Sequence, residues 1–229
     1  MMLSANNITI GYGSPLVSGV SFSIGAGECI LLCGANGTGK STLLRTLASL
    51  VRPLAGTVVP DCEVVMMPSG ISKVKGFTSR EFMRTGLYGA SVRPRYFGKG
   101  HENSIDNAID TLDLGRLADK DISELSDGEF RKVCVASALS RKAGVILLDE
   151  PTAFLDVENR IFVLAALKDI CSRSGCSVIF SSHDISDSIK ICSRVFGIST
   201  EKRFIDSDVY GPAEKVTEAC FRNISVASL

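Results

Sequence analysis

Short runs of alternating or β-branched apolar residues at 8–13, 21–24 and 57–59 predict strands of a small, largely antiparallel sheet near the N-terminus. The run 28–33 is almost wholly apolar and ends at a glycine, the pattern of a strand buried on both faces. Leu43, Leu44, Leu47 and Leu50 then recur at helical spacing and predict one face of a helix from Lys40 to about Leu50. The region 71–142 reads as mainly helical, with helical spacing over 79–85 and 104–114. Between them, 86–100 is rich in Gly, Arg and Tyr and predicts a loop. Two further buried strands, at 144–148 and 177–181, flank a helix at 159–173. That βαβ unit implies a parallel sheet. No internal repeat and no low-complexity tract interrupts the pattern.

Composition narrows the function classes. A chain of 229 residues, 45% of them hydrophobic, makes one large domain or a core with a subdomain, and is not a disordered protein. Lys+Arg and Asp+Glu both number 25, so net charge gives no case for a nucleic-acid or acidic-membrane binder. No apolar run approaches the ~18 residues of a membrane span, and 1–10 lacks the basic start and apolar stretch of a signal peptide. The expectation is a soluble, cytoplasmic chain that reaches a membrane only through a partner. The eight cysteines include no C-x-x-C pair, and most sit among apolar neighbours. They are expected to be small core residues rather than metal or redox groups.

Three motifs carry chemistry. Gly34-Ala35-Asn36-Gly37-Thr38-Gly39-Lys40-Ser41, followed by Thr42, matches G-x-x-x-x-G-K-[ST] and lies between a predicted strand and a predicted helix. Its glycines let backbone N–H groups turn inward around phosphates, and the helix N-terminus adds partial positive charge. Lys40 is placed to reach the β- and γ-phosphates of ATP, and the Ser41 hydroxyl to ligate Mg²⁺. Second, Val145-Ile146-Leu147-Leu148 delivers Asp149 and Glu150 to a strand end. Asp149 would hold Mg²⁺ through its water shell, and Glu150 would polarise the attacking water as general base. Third, Leu125-Ser126-Asp127-Gly128-Glu129 precedes a helical run, with Ser126 and Glu129 spaced as a capping box.

In this order the motifs resemble the nucleotide-binding subunits of ATP-binding cassette (ABC) transporters, over about 3–195. Phe154-Leu155-Asp156 is similar to that family's D-loop, and His183 follows in Ser181-Ser182-His183-Asp184. The resemblance implies an α/β fold: a P-loop NTPase core with a mainly parallel sheet, an N-terminal antiparallel β subdomain and an inserted α-helical subdomain. The whole of 1–229 would be a single ABC ATPase domain, with the insert at about 71–142. It implies that Tyr12 stacks on adenine and that His183 contacts the γ-phosphate and holds the attacking water. Ser126 and the N–H groups of Gly128 and Glu129 would bind the γ-phosphate of ATP held by the other subunit, with Asp156 at the same interface. The implied assembly is a head-to-tail homodimer with two sandwiched ATPs. It would be docked on polytopic permease subunits at the cytoplasmic face of the membrane, with a substrate-binding protein if the system imports.

The chain departs from the family pattern at two places. Ser69 follows Pro68 where the family usually has glutamine, and it is too short to span the same gap without a bridging water. Asp127 stands where glycine is usual, and its carboxylate is expected to point away from phosphate. The stretch 77–86, the Leu-Ser-Asp-Gly-Glu signature and Ala153-Phe154-Leu155-Asp156 with Asn159-Arg160 resemble importers of iron-siderophore, haem or cobalamin type. Exporter ATPases, soluble ABC ATPases such as those of iron–sulfur assembly, and a cassette with impaired turnover are the competing readings. The intact Lys40, Asp149, Glu150 and His183 argue against the last, and Ser69 argues mildly for it. The stretch 203–229 is expected to leave no room for a sizeable regulatory domain.

Overall fold

Nine strands and six α-helices are seen in the computed structural model, which describes residues 1–85, 99–208 and 220. β1 (Leu3–Tyr12) and β2 (Ser14–Ile24) form a hairpin, and β4 (Ala55–Pro60) pairs on the other edge of β1. This is the expected antiparallel sheet, in order β2-β1-β4, with strands longer than the sequence pattern suggested. The second sheet is built on β3 (Cys29–Gly34), β5 (Val64–Met67), β6 (Val145–Leu148), β7 (Ser177–Ser181), β8 (Arg194–Ile198) and β9 (Phe204–Asp208). Its order is β5-β6-β7-β3-β8-β9, parallel throughout except for the antiparallel edge strand β9.

Both faces of the parallel sheet are covered, which is why its strands read as unbroken apolar runs. Leu31, Cys33, Ile146, Leu148 and Phe180 face one core, shared with the helices of the central region and with α5 (Val157–Ser174). Ile30, Leu32, Val145, Leu147 and Ile179 face the other, shared with the antiparallel sheet and with α1 (Lys40–Leu47). Seven cysteines are buried and Cys62 is half-buried. All eight are free, and no metal-holding group of side chains exists among the described residues.

Several expected boundaries shift. Helix α1 stops at Leu47, because Ser49 adopts a left-handed φ of 59°. Leu50 therefore leaves the apolar face and is exposed. The central helices are α2 (Ser79–Thr85), α3 (Lys99–Thr111) and α4 (Asp127–Leu139). α3 begins before the apolar periodicity does, held to α2 by the Arg84–Glu102 and Arg80–Asp106 ion pairs, at 2.7 and 2.6 Å. Most of the expected loop, 86–98, lies outside the described residues; Lys99 and Gly100 belong to α3 rather than to a loop. Strands β5, β8 and β9 were not expected. No helix among the described residues is long and apolar enough to cross a membrane.

Candidate nucleotide site

Strands β5, β6, β7 and β3 are consecutive neighbours in the sheet and parallel, so their carboxyl ends open on one edge. That is where ligands bind in open parallel α/β sheets. The sequence places Ser69 beyond β5, Asp149 and Glu150 beyond β6, Ser182 and His183 beyond β7, and the loop 35–39 beyond β3.

The loop after β3 is shaped by close packing. A side chain at Gly34, whose φ is 154°, would bring a Cβ within 2.7 Å of the Ile198 carbonyl oxygen and 2.8 Å of Thr38 Oγ1. Thr38 Oγ1 donates to the Ala35 carbonyl at 2.9 Å. Gly39 is the N-cap of α1 and offers no side-chain acceptor, so the first N–H groups of the helix are uncapped by any side chain and available to an anion. Lys40 is buried; its Nζ donates to the Gly34 carbonyl at 2.7 Å and to the Ala35 carbonyl at 3.1 Å. Burial lowers the pKa of its ammonium, and the Glu150 and Asp149 carboxylates push back the other way.

Asp149 is 1% exposed. Its Oδ1 accepts from Ser181 Oγ at 2.8 Å, while Oδ2 is buried with no hydrogen-bond partner. Ser181 Oγ also accepts the Glu150 N–H at 2.9 Å. Glu150 has a left-handed φ of 55°, a conformation that costs a residue with a β-carbon about 1–3 kcal/mol and persists where neighbours hold it. Ser181 is one such neighbour. His183 is another: its Nε2–H tautomer donates to Glu150 Oε1 at 2.9 Å. The segment after His183 is fixed by the Arg160–Asp184 ion pair from α5. Tyr12 is 57% exposed, and its hydroxyl accepts from Arg45 Nη1 of α1 at 3.3 Å.

Ser126 and Glu129 make the expected capping box. Ser126 Oγ accepts the Glu129 N–H at 3.2 Å, and Glu129 Oε2 accepts the Ser126 N–H and hydroxyl, both at 2.9 Å. Those two donors hold the Glu129 carboxyl below its usual range. Gly128 approaches the Phe154 backbone so closely that a Cβ would lie 3.0 Å from the Phe154 carbonyl oxygen. Asp156 caps α5 by accepting the Asn159 N–H at 2.8 Å. Ser126, Gly128, Glu129 and Asp156 thus line one cleft, distinct from the hydrogen-bonded group of Asp149, Glu150, Ser181 and His183.

Asp127 lines the same cleft as Ser126, Gly128 and Glu129. It pairs with Lys73 Nζ at 2.7 Å. Ser69 offers its carbonyl to Nη2 of the buried Arg131 at 2.8 Å, and the Arg131 guanidinium lies 5.9 Å from the Phe154 ring centroid. Sequence reasoning assigned nothing to Ser181, Lys73 or Arg131. Ser181 stood inside the quoted Ser-Ser-His-Asp stretch; the other two carried no local signal.

The family model described as ABC transporter matches residues 17–153. The petrobactin import ATP-binding protein FpuD of Bacillus anthracis is 25% identical, over 97% of this chain and 85% of its own length. Among solved structures, an inward-facing metal-chelate type ABC transporter superposes with a TM-score of 0.83 at 24% identity, over 96% of this chain and 89% of that one. The ATP-binding cassette MJ0796, solved as a dimer in a post-hydrolysis state with ADP and Pi, gives a TM-score of 0.78 at 20% identity, over 92% of this chain and 100% of that one. With its matched span running from the small sheet through both nucleotide motifs, the chain belongs to the ABC transporter family and is an ATP-binding, ATP-hydrolysing component of it.

Proposed function

We propose that this chain powers an importer of iron-siderophore, haem or cobalamin type, as a homodimer on the cytoplasmic face of a polytopic permease. The carrying observation is that a hydrolytic group (Asp149, Glu150, Ser181, His183) and a separate helix-tip cleft (Ser126, Gly128, Glu129) occupy one chain. Both suit the γ-phosphate of ATP, the hydrolytic group for the nucleotide on its own copy and the helix tip for the nucleotide on the opposite copy. The importer class is supported by relatives such as FpuD, described as a petrobactin import protein.

In this reading the 34–42 loop wraps the phosphates of ATP, and Lys40 leaves its carbonyl partners for the β- and γ-phosphate oxygens. Tyr12 stacks on the adenine, with Arg45 steadying its hydroxyl. The buried, unpartnered Oδ2 of Asp149 suits a cation, so Asp149 and Ser41 would hold Mg²⁺. When bound, Mg²⁺ offsets phosphate charge. Ser181 fixes the Asp149 carboxylate and the Glu150 backbone together. His183 orients Glu150 and then the water. The water oxygen forms the new bond to the γ-phosphorus, its proton passes to Glu150, and the bond to the ADP oxygen breaks. Ser126 and the Gly128 and Glu129 N–H groups bind the γ-phosphate of ATP on the opposite copy, the Glu129 N–H leaving the Ser126 hydroxyl to do so, with Asp156 beside them.

The test is co-purification with a polytopic membrane protein of the same cell, followed by reconstitution. ATPase activity is expected to rise when the permease and a cognate substrate-binding protein loaded with a metal chelate are present. A chain that purifies without any membrane protein, and whose turnover no permease alters, overturns the transport assignment.

A further inference from the structure

Asp127 places a carboxylate on the first residue of α4, directly after Ser126, and it is 70% exposed. An unpaired negative charge there opposes any phosphate that approaches the helix tip. The chain compensates from a distant segment. Lys73, beyond β5, reaches across with three contacts around the start of α4: 2.7 Å to Asp127 Oδ1, 2.6 Å to the Leu125 carbonyl, and 6.0 Å to the Phe130 ring centroid. Its side chain is 26% exposed, so it is held in place rather than waving in solvent. Arg131 of the same helix holds the start of that segment through the Ser69 carbonyl. The other carboxylate of the turn, Glu129, is committed to Ser126.

We propose that Lys73 is a positioning residue for ATP-driven closure: it offsets the charge of Asp127 in the signature cleft, making the Ser126–Glu129 tip receptive to the γ-phosphate of ATP on a second copy. Exposed ion pairs contribute little to fold stability. The contribution of this one lies in the field at the helix tip. The inference rests on the two-copy reading above, and it makes Lys73 necessary only because Asp127 is charged.

The experiment is a titration of ATP-dependent dimerisation by sedimentation velocity, with Mg-ATP, in protein carrying Glu150→Gln. Lys73→Met should raise the ATP concentration for half-maximal dimer by about five- to tenfold, with the melting temperature nearly unchanged. Lys73→Arg, which keeps the charge, should not. Asp127→Asn added to Lys73→Met should restore the original ATP requirement. A merely structural role for Lys73 would not be rescued by neutralising Asp127. An unchanged requirement in Lys73→Met, or a double variant as impaired as the single, overturns the inference while leaving the sandwich intact. Failure of the Glu150→Gln protein itself to dimerise with Mg-ATP, by contrast, removes the two-copy reading and this inference with it.

Discussion

Lys40→Ala is expected to abolish measurable ATP turnover and to weaken nucleotide binding by about two orders of magnitude. The ammonium is buried beside two carboxylates, in a loop whose carbonyls accept from it at 2.7 and 3.1 Å. Phosphate oxygens are better acceptors than those carbonyls, because the resulting hydrogen bonds are charge-assisted. Removing a preorganised donor from a developing phosphoryl charge typically lowers kcat by ~10²–10³. Loss of charge also leaves Asp149 and Glu150 facing the triphosphate without the Lys40 ammonium that couples to both. Fluorescent-nucleotide titration and phosphate release measure the two effects separately. Turnover close to that of the unsubstituted protein in Lys40→Ala would show that the 34–42 loop is not where ATP is cleaved.

Glu150→Gln is expected to reduce kcat by ~10²-fold or more while ATP binding is retained or strengthened. The substitution keeps the side-chain shape, and the introduced amide oxygen can still accept from His183 Nε2–H, which lies 2.9 Å from Glu150 Oε1. The backbone contact to Ser181 is also independent of the side chain. What disappears is the ability to take a proton and one negative charge near the γ-phosphate. Single-turnover hydrolysis, compared with nucleotide affinity, separates these. A kcat within a few-fold of the original would require another group to take the proton.

The parts of the fold legible in the sequence were those whose signal is contiguous. The strands ending at Gly34, Leu148 and Ser181 are buried on both faces, so each is a run of apolar residues on its own. Val64–Met67 is equally buried, but two of its four residues are methionines, and only pairing with β6 makes it a strand. Phe204–Asp208 is a polar edge strand defined by its antiparallel register with β8. Neither property is written in its local pattern. The helix boundaries failed where a distant contact overrode the apolar period, as at α3.

The same division holds in the candidate site. The 34–41 loop and the Asp149-Glu150 pair are continuous motifs and announced themselves. The capping box at Ser126 and Glu129 was legible because it spans one helical turn. Ser181, which joins Asp149 to the Glu150 backbone, acts across 31 and 32 positions of sequence. The Arg131 contact to the Ser69 carbonyl spans 62 positions. Lys73 on Asp127 is likewise brought together only by the packing of α4 against the segment after β5. The sequence marked Ser69 and Asp127 as departures from a family pattern; what they touch could be read only from the fold.

The central claim is that two copies of this chain close on ATP, the 34–42 loop of one facing the Ser126 helix tip of the other. Sedimentation velocity of concentrated Glu150→Gln protein tests it directly. The account predicts a dimer with Mg-ATP, a monomer with Mg-ADP, and a return to monomer when Ser126→Arg is added to block the opposite phosphate. A Glu150→Gln protein that binds Mg-ATP tightly yet sediments as a monomer, even alongside its permease, would contradict it.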